Sequence, residues 1–150
     1  MKKVFTSILL IGIILLVSGC GKTVQNNSNI MNFTYDYGSY NGGYYSYAIT
    51  REDDQIHLDA KGMNGVDLNA DKSITESDLN ELAKIINDYK IYEWNGFHKS
   101  DKGVMDGYSF SIEIQYSDGE IMEASGYMKY PKGYDQAHEA LEKFLYDLAK

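Results

Sequence analysis

The chain is poor in the residues that cross-link a fold or hold a metal: its 150 residues include one cysteine, one proline, one tryptophan and three histidines. With Cys20 alone, no disulfide can close within the chain. His57, His98 and His138 do not have the spacing of a metal-ligand pair, and none lies in a nucleophile motif. No glycine-rich phosphate loop follows a strand pattern. Asp101 and Asp106 flank one loop, but with 22 acidic residues in the chain such a pair has no special meaning. Basic residues are also scarce, 14 against 22 acidic, so no basic patch is available to neutralise phosphates and nucleic acid is not expected as a partner. These absences together point to a protein that is not an enzyme.

What is present begins at the N-terminus. Lys2 and Lys3 precede Val4–Val17, an almost wholly apolar run, and Ser18, Gly19 and Cys20 follow. A cationic start, an apolar centre and small residues before a break are the parts of an export signal. At about 14 residues the run is short for a spanning helix. Leu16-Val17-Ser18-Gly19-Cys20 resembles the lipobox of bacterial lipoproteins. The resemblance implies a signal peptide over 1–19, cleavage before Cys20 and acyl chains (palmitate and its like) on that residue. Its partner would then be the lipid bilayer, on the extracytoplasmic face of the cell membrane, since two acyl chains hold a protein firmly there. Cleavage would remove Lys2 and Lys3, leaving 12 basic against 22 acidic residues and a charge of -10. So acidic a domain should stand off an anionic bilayer.

Residues 20–32 read as the lipidated cysteine and a flexible tether, rich in Asn, Gln and Ser; residues 33–150 read as one domain. Phe33, Tyr35 and Tyr37 alternate, as do Tyr45, Tyr47 and Ile49, then Ile56, Leu58 and Ala60. Leu79, Leu82, Ala83, Ile86 and Tyr89 recur at helical spacing over about 76–89, and Ala137, Leu141, Phe144, Leu145 and Leu148 over about 136–149. Between them Phe110, Ile112 and Ile114 alternate ahead of an Asp118-Gly119 turn. The expected fold class is α+β: an antiparallel sheet of four to five strands, order ββαββα, with two helices on one face and tyrosine and charge on the other. Tyr45-Ser46-Tyr47 matches Tyr108-Ser109-Phe110, and Ala60-Lys61-Gly62 matches Ala124-Ser125-Gly126. This fits an internal ββα duplication, or two short hairpins that merely look alike.

Three stretches could carry a site. Asp67, Asn69, Asp71, Ser73, Thr75 and Asp78 place oxygens at loop positions 1, 3, 5, 7, 9 and 12. They resemble a single EF-hand or dockerin loop, which implies Ca2+ as a ligand and a structural or adhesion module as a second functional reading. Lys72 stands where that pattern has glycine. The same residues also read as a helix cap, with Thr75 and Asp78 as a capping box. Trp94-Asn95-Gly96-Phe97, Met105 to Phe110, Gly126 and Pro131 to Tyr134 resemble an uncharacterised domain of secreted Gram-positive lipoproteins, over roughly residues 82 to 134. That likeness implies no activity. Trp94 and Phe97 read either as an aromatic plug of the core or as a ligand groove. Finally Tyr37, Tyr40, Tyr44 and Tyr45, set among glycines, offer contact area at low entropic cost and read as exposed binding tyrosines or as an edge strand and loop. The expected function is a membrane-anchored binding module for an unknown extracellular ligand or protein.

Overall fold

The computed structural model describes residues 30–150. The signal peptide expected over 1–19, lipidation at Cys20 and the tether as far as residue 29 lie outside the described residues. Ile30 to Asn32, read from the sequence as the end of the tether, open the first strand.

Seven strands form one sheet: β1 (Ile30–Ser39), β2 (Gly43–Glu52), β3 (Gln55–Met63), β4 (Asn69–Ile74), β5 (Phe97–Ser100), β6 (Ser109–Tyr116) and β7 (Ile121–Tyr127). Helix α1 (Glu76–Asp88) and a 3-10 turn (Ile91–Trp94) connect β4 to β5, and α2 (Tyr134–Ala149) follows β7. The spatial order is β4-β3-β2-β1-β6-β7-β5. Every neighbouring pair is antiparallel except β5 with β7, which is parallel.

This corrects the expected four-to-five-strand antiparallel sheet of order ββαββα. Two strands account for much of the difference. β4 is an edge strand whose helix-side positions are Ala70, Lys72 and Ile74, so no apolar alternation marks it. A charge such as Lys72 on the inner face of an edge strand discourages further pairing. β5 has four residues and reaches β7 only after α1 has carried the chain from one edge of the sheet to the other. The internal duplication fails on register. Tyr47 pairs with Ala60, but its counterpart Phe110 pairs with Gly126, two residues away from Ala124.

Alternation sorts the side chains cleanly. Phe33, Tyr35, Tyr37, Tyr47, Ile49, Leu58, Phe110, Ile112 and Ile114 are buried on one face. There they meet Leu79, Leu82 and Ile86 of α1 and Leu141 and Leu145 of α2 in one continuous core. Thr75 caps α1: its hydroxyl accepts from the Asp78 N–H, and the Asp78 carboxylate accepts from the Thr75 N–H at 2.7 Å. Arg51, at the end of β2, forms a two-pronged ion pair with Glu76 in the first turn of α1, which fixes that helix to the sheet.

The opposite face is open and polar. It carries charge as expected but few tyrosines, because Tyr35, Tyr37 and Tyr47 are all under the helices. Asp59 lies opposite Asp71, and Glu113 opposite Glu123, two like-charged cross-strand pairs that cost stability. Neighbours offset that cost: Lys61 bonds Asp59 at 2.6 Å, His57 approaches Asp71 at 2.5 Å, and His98 lies 3.6 Å from Glu123.

Glycine is required at Gly126. A Cβ there would meet the Lys129 carbonyl oxygen at 2.0 Å and the Phe110 ring at 2.5 Å. Leu141→Ala empties a fully buried site and should cost about 2–5 kcal/mol in urea unfolding, whereas the exposed Ile121→Ala should stay within about 0.5 kcal/mol.

Candidate functional site

Two features of the fold concern binding: an aromatic seam beneath α2 and a rim of loops at one end of the sheet. The seam follows from the register, which sets Tyr45, Tyr37 and Phe110 side by side across β2, β1 and β6. Phe110 contacts Trp94 and Tyr134, with centroids at 6.1 and 4.6 Å. Tyr134 stacks on His138 at 5.3 Å, His138 meets the Tyr37 ring edge-on at 4.7 Å, and Tyr37 stacks on Tyr45 at 4.8 Å. The rings thus run unbroken from Trp94 to Tyr45.

The polar ends of these rings fasten α2. Tyr35 Oη lies 2.8 Å from His138 Nδ1, and Tyr37 Oη donates to Glu142 at 3.2 Å. Among the described residues, the buried Tyr47 Oη has no partner in hydrogen-bond geometry, though the Tyr37 phenol is near enough to influence its titration. Burial pushes the Tyr35 and Tyr37 hydroxyls far above the ordinary phenol range, with nearby phenols and Glu142 adding to it. Tyr47 and Tyr134 are each pushed up to about 12, again chiefly by burial. Burial lowers the pKa of His138, against the opposing pull of Glu142 and Asp135. A neutral His138 in its Nε2–H form accepts the Tyr35 proton donor at Nδ1.

The structure brings four of the predicted binding residues into or beside this seam. Trp94 is only 3 % exposed, and its Nε1 donates to the Lys132 carbonyl at 3.3 Å. Tyr37 is 4 % exposed, and Tyr45 is half-buried against it. Phe97 is half-buried, 6.4 Å from Phe110, with Lys99 Nζ over its ring at 5.2 Å. The Asn95-Gly96 turn sets Phe97 there. Gly96 has φ +77, its N–H donates to the Glu123 carbonyl, and Asn95 accepts from the Glu123 N–H. Tyr44 lies apart on the open face, half-buried. Tyr40 is 71 % exposed on the β1–β2 turn.

The predicted calcium ligands are laid out along an extended chain. Asn69, Asp71 and Ser73 are alternate residues of β4, which spans about 13 Å between the first and the last. Asp71 is paired with His57, and Thr75 and Asp78 are engaged with each other in the cap of α1. Asp67 precedes the strand in the β3–β4 loop. Of the other titratable residues, His98 contacts Ser125 at 2.9 Å. Asp101 is held below the usual carboxylate range by the Gly103 N–H and then by Lys129 at 3.1 Å. Asp106 lies in the same exposed loop.

The rim is the feature that sequence reasoning missed. Among the described residues, nine large apolar side chains are exposed, and seven of them are Tyr40, Met63, Val104, Met105, Tyr108, Met128 and Tyr130. Register places all seven at one end of the sheet. Ser39 pairs with Gly43, Tyr44 with Met63, Gly38 with Ser109, Ser109 with Tyr127 and Ser100 with Tyr127, so the loops leaving these strands share one edge. The 101–108 loop is held from behind. The Tyr127 hydroxyl accepts from the Gly107 N–H at 2.7 Å and donates to the Val104 carbonyl at 3.1 Å, and the Met128 N–H donates to the Tyr108 carbonyl at 2.9 Å. Met105 is left 95 % exposed. Beside the rim, Trp94, Gly96, Phe97, Lys99, Tyr130 and Pro131 line an open groove of about 480 Å³.

No family model matches the chain, and no curated protein matches it at a significant level.

Two outcomes test this geometry. His138 is held neutral by burial, so between its lowered folded pKa and about 6.5 the unfolded chain binds the extra proton. Stability should therefore fall as pH drops from 7 toward 5.5. His138→Gln should flatten that slope in urea unfolding curves measured across the range. For calcium, about 1 mM ligand on a site of about 0.1 mM affinity would add about 1.4 kcal/mol. The extended layout of β4 predicts no such gain, measured as the melting temperature with calcium against EGTA.

Proposed function

We propose that the chain is a lipid-anchored, extracytoplasmic binding module that holds a protein partner at its loop rim and performs no chemistry of its own. The observation that carries this reading is the convergence of seven exposed apolar side chains on one end of the sheet. Exposed apolar clusters of this kind mark contact surfaces, and loops fixed by a rigid scaffold are where such contacts usually sit. Pinning of the 101–108 loop by Tyr127 lowers the ordering cost of binding. Three methionines, Met63, Met105 and Met128, give the surface adaptable, polarizable contacts.

Anchoring supports the same orientation. β1 starts at Ile30 and reaches the rim at Ser39, about 30 Å away along the strand. With acyl chains on Cys20, the tether would join the domain at the end opposite the rim. The rim would then face away from the bilayer, and the acidic balance keeps the domain off an anionic surface.

Photo-crosslinking in the expressing cell tests both parts. A crosslinking residue in place of Met105 or Tyr40 should give discrete protein adducts, and one in place of Asp118, in the β6–β7 turn at the far end, should give none. Equal labelling from both ends, or none from the rim, would sink the reading. Cys20→Ala should abolish incorporation of labelled palmitate and move the protein out of the membrane fraction.

A further inference from the structure

A second surface, independent of the rim, lies on the outside of the helical layer. The inner stripes of α1 and α2 are spent on the sheet, but a further set of apolar side chains faces outward along the seam between the helices. Ile85, Phe144 and Leu148 are only partly buried there and form the floor of an open groove of about 760 Å³. Its α1 wall runs from Asp78 to Tyr89, about 16 Å of helix. The walls are acidic: Glu81 on one side, Glu139 and Asp147 on the other, with Lys143 as the one cation. Glu81, Glu139 and Asp147 are exposed, and among the described residues no ion pair closes on any of them.

From this geometry we propose that the groove binds a short cationic amphipathic peptide as a helix of about three turns. Such a helix lays an apolar stripe at i, i+3/i+4 and i+7 on the floor and turns lysines or arginines from both flanks toward the acidic walls. The groove length matches three helical turns, and its charge is opposite to that of the ligand. Charge also decides against a second copy of the chain as the occupant, because a formal charge of -8 with the same acidic walls would oppose self-association here. The excess negative charge of the whole protein draws cations toward it, and the apolar floor distinguishes an amphipathic peptide from a merely basic one.

The test uses the full chain in nanodiscs of zwitterionic lipid, with empty nanodiscs as the blank. The probe is a fluorescein-labelled peptide of leucine and lysine, about three helical turns long, with its leucines on one helical face. The control has the same composition scrambled around the helix. Saturable binding is expected, at least tenfold tighter for the amphipathic order, and weaker at higher salt. Glu81→Gln with Glu139→Gln and Asp147→Asn should weaken it by roughly tenfold, the sum of three exposed charge contacts. Asp59→Asn with Glu113→Gln, on the open sheet face, should leave it unchanged. All five positions are polar sites outside the core, and matching melting temperatures confirm that the variants fold. Equal binding of the scrambled peptide, loss only in the open-face variant, or no saturable binding would each overturn the proposal. So would a dimer that the same groove substitutions strengthen. Crosslinking at Met105 is untouched by any of these results, so this proposal and the rim reading fail separately.

Discussion

The fold depends on how α2 is fastened to β1. β1 is the central strand, with β2 on one flank and β6 on the other, so the two halves of the sheet are joined through it alone. Its inner face presents tyrosines where aliphatic residues would pack more simply. A buried phenol needs a partner for its hydroxyl, or it costs about 1–3 kcal/mol. α2 supplies two: His138 for Tyr35 and Glu142 for Tyr37, spaced one helical turn apart as the two tyrosines are spaced along the strand. Sliding the helix by one residue would leave both phenols without partners. The position of α2 over the sheet is therefore set by directional bonds, and Leu141 and Leu145 fill the space those bonds define.

A division of surfaces follows. One sheet face is closed by the helices, and the other carries rows of carboxylates with few bulky side chains to cover them. The end where β1 begins has short turns and mostly polar tips. The other end collects the longer loops and most of the exposed apolar area. A small domain that buries Tyr35, Tyr37 and Tyr47 yet leaves Met105 and Tyr40 in solvent distributes its apolar residues by location rather than by type.

Some of this was legible from the residues. Phe33, Tyr35 and Tyr37, or Phe110, Ile112 and Ile114, alternate because one side of their strands meets the helices and the other meets water. The stripe of α1 reads directly from Leu79, Leu82, Ala83 and Ile86, and its start from Thr75 and Asp78. What did not read from the sequence depends on distant partners. β4 looks like a ligand loop because its outward residues Asn69, Asp71 and Ser73 all carry oxygen, and an edge strand has little reason to carry more apolar residues. β5 becomes a strand only because β7 lies beside it, a relation with no local signature. Tyr37 and Tyr45 sit in glycine-rich sequence that resembles an exposed loop, and only α2, about a hundred residues later, covers Tyr37. The rim draws on positions from Tyr40 to Tyr130, so no window of sequence contains it. Isolated exposed methionines and tyrosines are ordinary, and the topology alone makes them neighbours.

The sulfur in that rim gives it a chemical property the core does not share. Met63, Met105 and Met128 are open to solvent, while Met122 is sealed beneath the helices. Peroxide or hypochlorous acid would convert exposed thioethers to sulfoxides, turning adaptable apolar contacts into polar, chiral ones. Among the described residues Met122 is shielded, whereas the Met128 Sδ accepts from the Tyr108 N–H at 3.2 Å, so oxidation there would also disturb the 101–108 loop. If the rim binds a partner as proposed, that conversion would weaken the contact, and its recovery would need a methionine sulfoxide reductase.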